Sequence, residues 1–350
     1  MTGRTTRVRT ATILALVCAV VIAGAGLFAW WNTDLLGRDD FCAGVVSADD
    51  AGAVLDGPGR LTLASAEPQK VSGDAYGFDC VVQRSSKLIG GDQASLTVDL
   101  TRPDATFPFR TRLWKNPAAM SYLADGAVGA VDDRRAWVML PASCWDKIPS
   151  SGANASPVLE LEVSNGTADR QALAATAVHA ARQIAGDVGC SAPELSRPVR
   201  LHGPAEKGGA GRTDTANACG LKGFRLPESA FFDGGATPGS ERFTGTGASA
   251  WACTLDLDGP AEPQLTFALS QDRTLTKFAG RDPAVADRDG VALLECADGT
   301  AYVSMHRNDA YEDLLLDNKV PGDRWNDPFR AFIDAVAKKL DCGPAAGTSR

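Results

Sequence analysis

Cysteines, histidines and paired carboxylates are the side chains of this chain that could carry chemistry, and their spacing narrows what that chemistry is. The eight cysteines Cys42, Cys80, Cys144, Cys190, Cys219, Cys253, Cys296 and Cys342 contain no CxxC and no other close spacing. A zinc site or a dithiol redox centre, each of which needs its sulfurs close together, is therefore not indicated. The three histidines, His179, His202 and His306, stand apart, and the HAAR run from His179 has no metal ligand at i+4. No HExxH, GxSxG or P-loop pattern occurs.

Carboxylates do come in pairs: Asp132 with Asp133, Asp256 with Asp258, and Asp287 with Asp289. Glycoside hydrolysis needs two carboxylates facing one another across a cleft, which neighbours on one loop do not supply. Asp256-Leu-Asp258-Gly259 starts like a calcium loop but lacks the later ligands and the closing Glu. Asp132-Asp133-Arg134-Arg135 reads as a solvated turn before a strand. The sequence therefore assigns no catalytic residue, no cofactor and no metal site.

An even number of cysteines in an exported chain indicates disulfides, although eight cysteines allow 105 pairings. Here the cysteines fall into two sets of four, spaced 38, 64 and 46 residues apart and then 34, 43 and 46 apart. The contents match as well. An aromatic residue stands two before the second cysteine of each set, Phe78 and Trp251. A period-2 strand comes after it, Ala94 to Leu100 and Gln264 to Ser270. Apolar runs precede the third cysteine at 136–140 and 291–294, and strands come after it at 158–163 and 301–305. Each set closes with an amphipathic helix, 168–185 in the first and 327–340 in the second, the latter with Asp327 as N-cap and Pro328 at the first helical position. This pattern reads as one domain duplicated. It predicts Cys42–Cys80, Cys144–Cys190, Cys219–Cys253 and Cys296–Cys342, each closing a loop worth about 3–4 kcal/mol in the chain-entropy model.

Of the tryptophans, Trp137 and Trp251 lie in strand-like runs and read as core. Trp114, Trp145 and Trp325 lie in loops and are the candidates for ligand contact. The sequons at Asn154 and Asn165 are coincidental in a bacterial chain, which the abundant Gly and Ala and sparse Lys suggest.

The N-terminus is read as an anchor. Residues 11–31 carry no charge, and at 1.5 Å per residue would span about 30 Å of hydrocarbon. Arg4, Arg7 and Arg9 precede this stretch and Asp34, Asp39 and Asp40 come after it, which places the N-terminus in the cytoplasm and the remainder outside. Ala23-Gly24-Ala25 offers a signal-peptide cleavage site, but the apolar run continues past it. Cys18 lacks the small preceding residue of a lipoprotein, since Val17 stands there.

The expected organisation is a cytoplasmic arm (1–10), a transmembrane helix (11–31), a spacer (32–40), a first extracytoplasmic domain (41–190), a Pro/Gly-rich linker (191–217), a second domain repeating the first (218–342) and a tail (343–350). The fold class is α+β, each domain a small antiparallel sheet with packed helices near its start and at its end. Beyond residue 31 there are 32 basic and 43 acidic residues, net −11, which argues against a nucleic-acid partner. The expected partners are the lipid bilayer through 11–31 and an unidentified protein or envelope component. The functional expectation is a single-pass plasma-membrane protein acting outside the cell as a non-enzymatic binding or interaction module. The competing expectation is an envelope hydrolase with unrecognised carboxylate chemistry.

Overall fold

The computed structural model of the chain describes residues 3–34, 37–65, 78–85, 93–101, 117–124, 126–148, 157–203, 211–232, 236–244, 250–259, 261–279 and 290–343. The first element is helix α1 (Gly3–Asn32). Its described side chains run from 14 to 28 with Trp30, and Leu14, Leu16, Val20, Ile22 and Phe28 are all exposed. The expected transmembrane helix over 11–31 is corrected on this point: among the described residues no helix is long and apolar enough to cross a membrane. Beyond α1 the chain forms a sheet-rich α+β fold held by disulfides.

The first half opens on a two-stranded ribbon, β1 (Asp40–Phe41) with β2 (Val46–Ser47), and helix α2 (Ala48–Val54). Ser47 starts α2 by accepting the Asp50 N–H, and Asp49 and Asp50 complement the helix's first turn. Next along the chain are strands β3 (Arg60–Leu63), β4 (Asp79–Ser85), β5 (Ser95–Thr101), β6 (Ser121–Ala124), β7 (Val128–Val131) and β8 (Arg135–Met139). Then come a short helix α3 (Ala142–Trp145), strand β9 (Val158–Ser164), helix α4 (Arg170–Asp187) and strand β10 (Arg200–His202). The eight strands of this sheet lie in the order β10-β6-β7-β8-β9-β5-β4-β3, with every neighbour antiparallel. The second half holds β11 (Gly211–Arg212), β12 (Thr237–Phe243), β13 (Ala250–Asp258), β14 (Gln264–Ser270), α5 (Arg273–Ala279), β15 (Val291–Cys296), β16 (Gly299–Arg307), α6 (Asp309–Asp317) and α7 (Asp327–Leu340). Its sheet order is β11-β12-β13-β14-β16-β15, again antiparallel.

One five-strand order recurs. Strands β3-β4-β5-β9-β8 of the first sheet correspond to β12-β13-β14-β16-β15 of the second. The disulfides fix a common register, because Cys80 lies opposite Val98 and Cys253 opposite Phe267. The bridges are Cys42–Cys80, Cys144–Cys190, Cys219–Cys253 and Cys296–Cys342, and none joins the halves. The first cysteine of each half sits in a left-handed turn, Cys42 at φ 58° and Cys219 at φ 64°. Both are uncommon conformations for a residue with a side chain.

Within 191–217, a 3-10 turn buries Leu195, and β10 and β11 add edge strands. The two closing helices pack on the inner face of their sheets. Helix α4 begins at Asp169, which caps the Ala172 N–H, and buries Leu173, Ala177, Ala180, Ala181 and Ile184. The alanines among them let its backbone approach the sheet. Helix α7 buries Phe329, Phe332, Ile333 and Val336. Asn326, not Asp327, occupies its cap position. The Asp327 carboxylate instead accepts from Ser229 at 2.8 Å and pairs with Arg330. Phe332 anchors the second core, with Phe224, Phe267 and Trp251 at ring-centroid distances of 5.4, 5.1 and 5.9 Å. Of the helices expected near each domain's start, only α2 forms among the described residues. The second half has 3-10 turns there, at Ala218–Gly220 and Glu228–Ala230.

Candidate functional site

Each sheet has one face turned to its helices and one turned away, because side chains alternate along a strand. The outward face of the first sheet is the most chemically distinctive surface among the described residues. On β5 it presents Thr97, Asp99 and Thr101, and on β9 Glu160 and Glu162, while Leu96, Val98, Leu100, Leu159 and Leu161 point into the core. Pairing sets the geometry. Asp99 lies directly opposite Glu160, and Thr97 opposite Glu162. On the other side Glu160 faces Trp137 and Glu162 faces Arg135. Thr97, Asp99, Arg135, Trp137, Glu160 and Glu162 line a small open pocket of about 30 Å³.

Its lining carries three carboxylates, Asp99, Glu160 and Glu162, and the Arg135 guanidinium. Arg135 pairs with Glu162 at 2.8 Å, and Glu160 accepts the Thr101 hydroxyl. Asp99 and Glu160 lie opposite one another on adjacent strands, both half-buried. Trp137, 1% exposed, forms one wall of the pocket and also belongs to a third apolar cluster with Met120, Tyr122, Met139, Trp145 and Val158 of the first half and Ala250, Ala252, Ala268 and Leu275 of the second. The pocket wall and the contact between the two sheets thus share a side chain.

The register shows what the second half carries at the same positions. Thr266 stands for Thr97, Ala268 for Asp99, Ser304 for Glu160, His306 for Glu162 and Val291 for Trp137. The charges are gone, and Ala268, Ser304 and Thr266 are 0%, 2% and 6% exposed. Ala268, with Ala250, Ala252 and Leu275, packs against the outward face of the first sheet.

The tryptophans expected to touch ligand lie elsewhere. Trp145 ends α3, is 5% exposed and donates its indole N–H to the Leu140 carbonyl at 2.8 Å. Trp325 is half-buried on the second core, donates to the Val320 carbonyl at 2.9 Å and lies under the Arg307 guanidinium. Neither lines the pocket. Trp114 lies outside the described residues, as do Asp287, Asp289 and the sequon Asn154. The eight cysteines are all bridged, and Cys18 on α1 is free.

The remaining candidate groups have structural partners. Asp132 accepts the N–H groups of Arg134 and Arg135, closing the β7–β8 turn. Asp256 accepts from Gln264 at 2.7 Å. The His179 ring pairs with Asp50, which also receives the Ser47 hydroxyl, so this histidine ties α4 to the start of α2. Among the described residues no group of three or more His, Cys, Asp or Glu side chains is placed to hold a metal ion.

Sequence reasoning missed Asp99, Glu160 and Glu162. The alternation of Val158-Leu-Glu-Leu-Glu-Val163 showed that the two glutamates share a face. That Asp99 and Arg135 join them depends on strand register, which a single sequence does not fix. No family model, curated protein or solved structure matches the chain.

Proposed function

We propose that this protein is a non-enzymatic binding module working in an oxidising, extracytoplasmic compartment of a bacterial cell, and that it takes a cation-bearing protein or envelope segment on the outer face of its first sheet. Four disulfides support the compartment, since such bridges persist outside the reducing cytoplasm. The observation that carries the binding site is the divergence of equivalent positions. Asp99, Glu160 and Glu162 line a pocket on one sheet, where Ala268, Ser304 and His306 stand at the equivalent positions of the other. Carboxylates suit an ammonium or guanidinium group through ion pairing.

The test is binding of a Lys-rich peptide to the full chain with its disulfides intact, measured across a salt series. The wild type should bind with an affinity that falls as salt rises. Asp99→Asn/Glu160→Gln/Glu162→Gln should weaken binding by about tenfold or more. Equal affinity of the two proteins would refute the assignment.

One feature favours a hydrolase: Asp99 and Glu160 lie directly opposite one another across two strands. Against it, the pocket is shallow and open to water, whereas an acid catalyst needs a desolvated carboxyl. Release of reducing ends from envelope polysaccharide, abolished by Glu160→Gln, would favour that second reading.

A further inference from the structure

The four disulfides differ in how deeply they are buried. Cys42–Cys80 and Cys219–Cys253 lie inside the two cores, and their cysteines are 0–1% exposed. Cys144–Cys190 is buried at one end, where Cys144 is 0% exposed, and half-buried at the other. Cys296–Cys342 is the bridge with both cysteines half-buried. Exposure matters because thiol–disulfide exchange begins with a thiolate reaching a bridge sulfur.

Chain length does not separate the two closing bridges. Each has a sequence separation of 46, so loop entropy favours neither. Their surroundings do separate them. Cys144 sits in α3 beside Leu140, Trp145 and Ile148, which are 0%, 5% and 1% exposed. The Ser143 hydroxyl donates to the Ser191 carbonyl and the Lys147 ammonium to the Gly189 carbonyl, so side chains on both flanks reinforce that connection. The bonds flanking Cys296–Cys342 join backbone groups. Gly343 donates to the Glu295 carbonyl at 2.9 Å and Ala297 to the Asp341 carbonyl at 3.1 Å.

The position of Cys296–Cys342 limits what its opening does. It joins the end of β15 to the residue two past the end of α7. The side chains that hold α7 on its sheet, Phe329, Phe332, Ile333 and Val336, all come before Ala337. The ring contacts of Phe332 with Phe224, Phe267 and Trp251 do not pass through the sulfurs.

We propose that Cys296–Cys342 is a thiol-exchange site: in the folded protein a dithiol opens this bridge first, releasing the last turn of α7 while the second core stays packed. A thiolate of the dithiol attacks one bridge sulfur, the S–S bond breaks, and the other cysteine leaves as a thiolate and takes up a proton. The second thiol of the dithiol then attacks the mixed disulfide. Both cysteines end as thiols, and the dithiol, having given up two electrons, ends as its own disulfide. The natural partner would be a protein dithiol of the extracytoplasmic compartment. That partner rests on the placement proposed above, whereas the exchange itself does not.

The test uses the full folded chain with dithiothreitol as the dithiol, after the free Cys18 has been blocked with N-ethylmaleimide. New thiols are trapped over time with iodoacetamide and located by mass spectrometry. Cys296 and Cys342 should be labelled together, about tenfold or more faster than any other bridged cysteine. In denaturant their lead over Cys144 and Cys190 should vanish, because access is then equal and the sequence separations already are. In the trapped protein the amides of 337–343 should exchange faster, while those of 329–336 stay protected. Labelling that starts at Cys144 and Cys190, or that reaches all eight bridged cysteines at one rate, would overturn the proposal. So would a lead that persists in denaturant, or a loss of protection along the whole of α7.

Discussion

The first and second sheets share a five-strand core, a disulfide register and a left-handed first cysteine, yet their outward faces have opposite character. On the first, Asp99, Glu160 and Glu162 are half-buried beside Arg135, while Trp137, Met139 and Val158 of the same face pack against the second half. On the second, Ala268, Ser304 and Thr266 are buried, with Ala268 packed against the first half. One scaffold thus supports two uses of the same surface, and the choice is made by a few residues at strand positions whose backbone is unaffected. A β-strand's outward positions make no demand on the core, so they can diverge freely after duplication.

The comparison is broken most strongly through the bridges. Removing Cys144–Cys190 or Cys296–Cys342, each with a sequence separation of 46, should cost about 4 kcal/mol in either half by loop entropy. Paired Cys→Ser variants followed by denaturant unfolding would measure this, and a large inequality would show that the two scaffolds are not equivalent. Next in size is an exchange of characters. Ala268→Asp places the first sheet's charge in the buried face of the second and should destabilise by roughly 3 kcal/mol or more, since an unpaired carboxylate is taken out of water. The reciprocal change, Asp99→Ala, should shift unfolding by no more than about 0.5 kcal/mol, because the residue is half-exposed and outside the core.

A smaller difference concerns pH. Glu241, 8% exposed, accepts the Cys219 N–H at 2.9 Å and supports the left-handed turn of the second half. By register its counterpart in the first half is Leu63. Burial raises the Glu241 pKa above the ordinary 4.5, with the N–H donors of Cys219 and Asp214 acting the other way. A carboxyl whose pKa is raised in the folded state binds its proton more tightly there than when unfolded. Its contribution is therefore complete below the unfolded value and declines as pH rises through the folded one. Glu241→Gln should flatten that decline in the second half's unfolding curve and leave the first half unchanged. An unaltered pH profile would remove Glu241 as the cause.

Much of this fold is legible in the sequence for reasons that are physical. Strands β5, β9 and β14 alternate, and α7 has its aromatic stripe at helical spacing, so local periodicity declares them. Strands β3, β6, β7 and β10 are three or four residues long, too short for any period to emerge, and they exist because neighbours pair with them. The turns at Cys42 and Cys219 are equally silent, since neither cysteine is a residue type that signals positive φ. The acidic pocket is intermediate. Its glutamates are visible as one side of an amphipathic strand, but the assembly with Asp99 and Arg135 is a property of register. The apolar run at 11–31 shows the opposite failure. Composition alone suggests a membrane span there, whereas among the described residues no helix is long and apolar enough to cross a membrane and the described side chains of α1 are exposed.

The central claim, that one face binds and its counterpart does not, can be measured by placing a photo-crosslinking amino acid at Ser95 or, in a second protein, at Gln264. These positions are equivalent by register and similarly half-exposed. After irradiation with a Lys-rich peptide, mass spectrometry should find the adduct on the Ser95 variant and little on the Gln264 variant. Equal labelling of the two, or labelling confined to Gln264, would contradict the account.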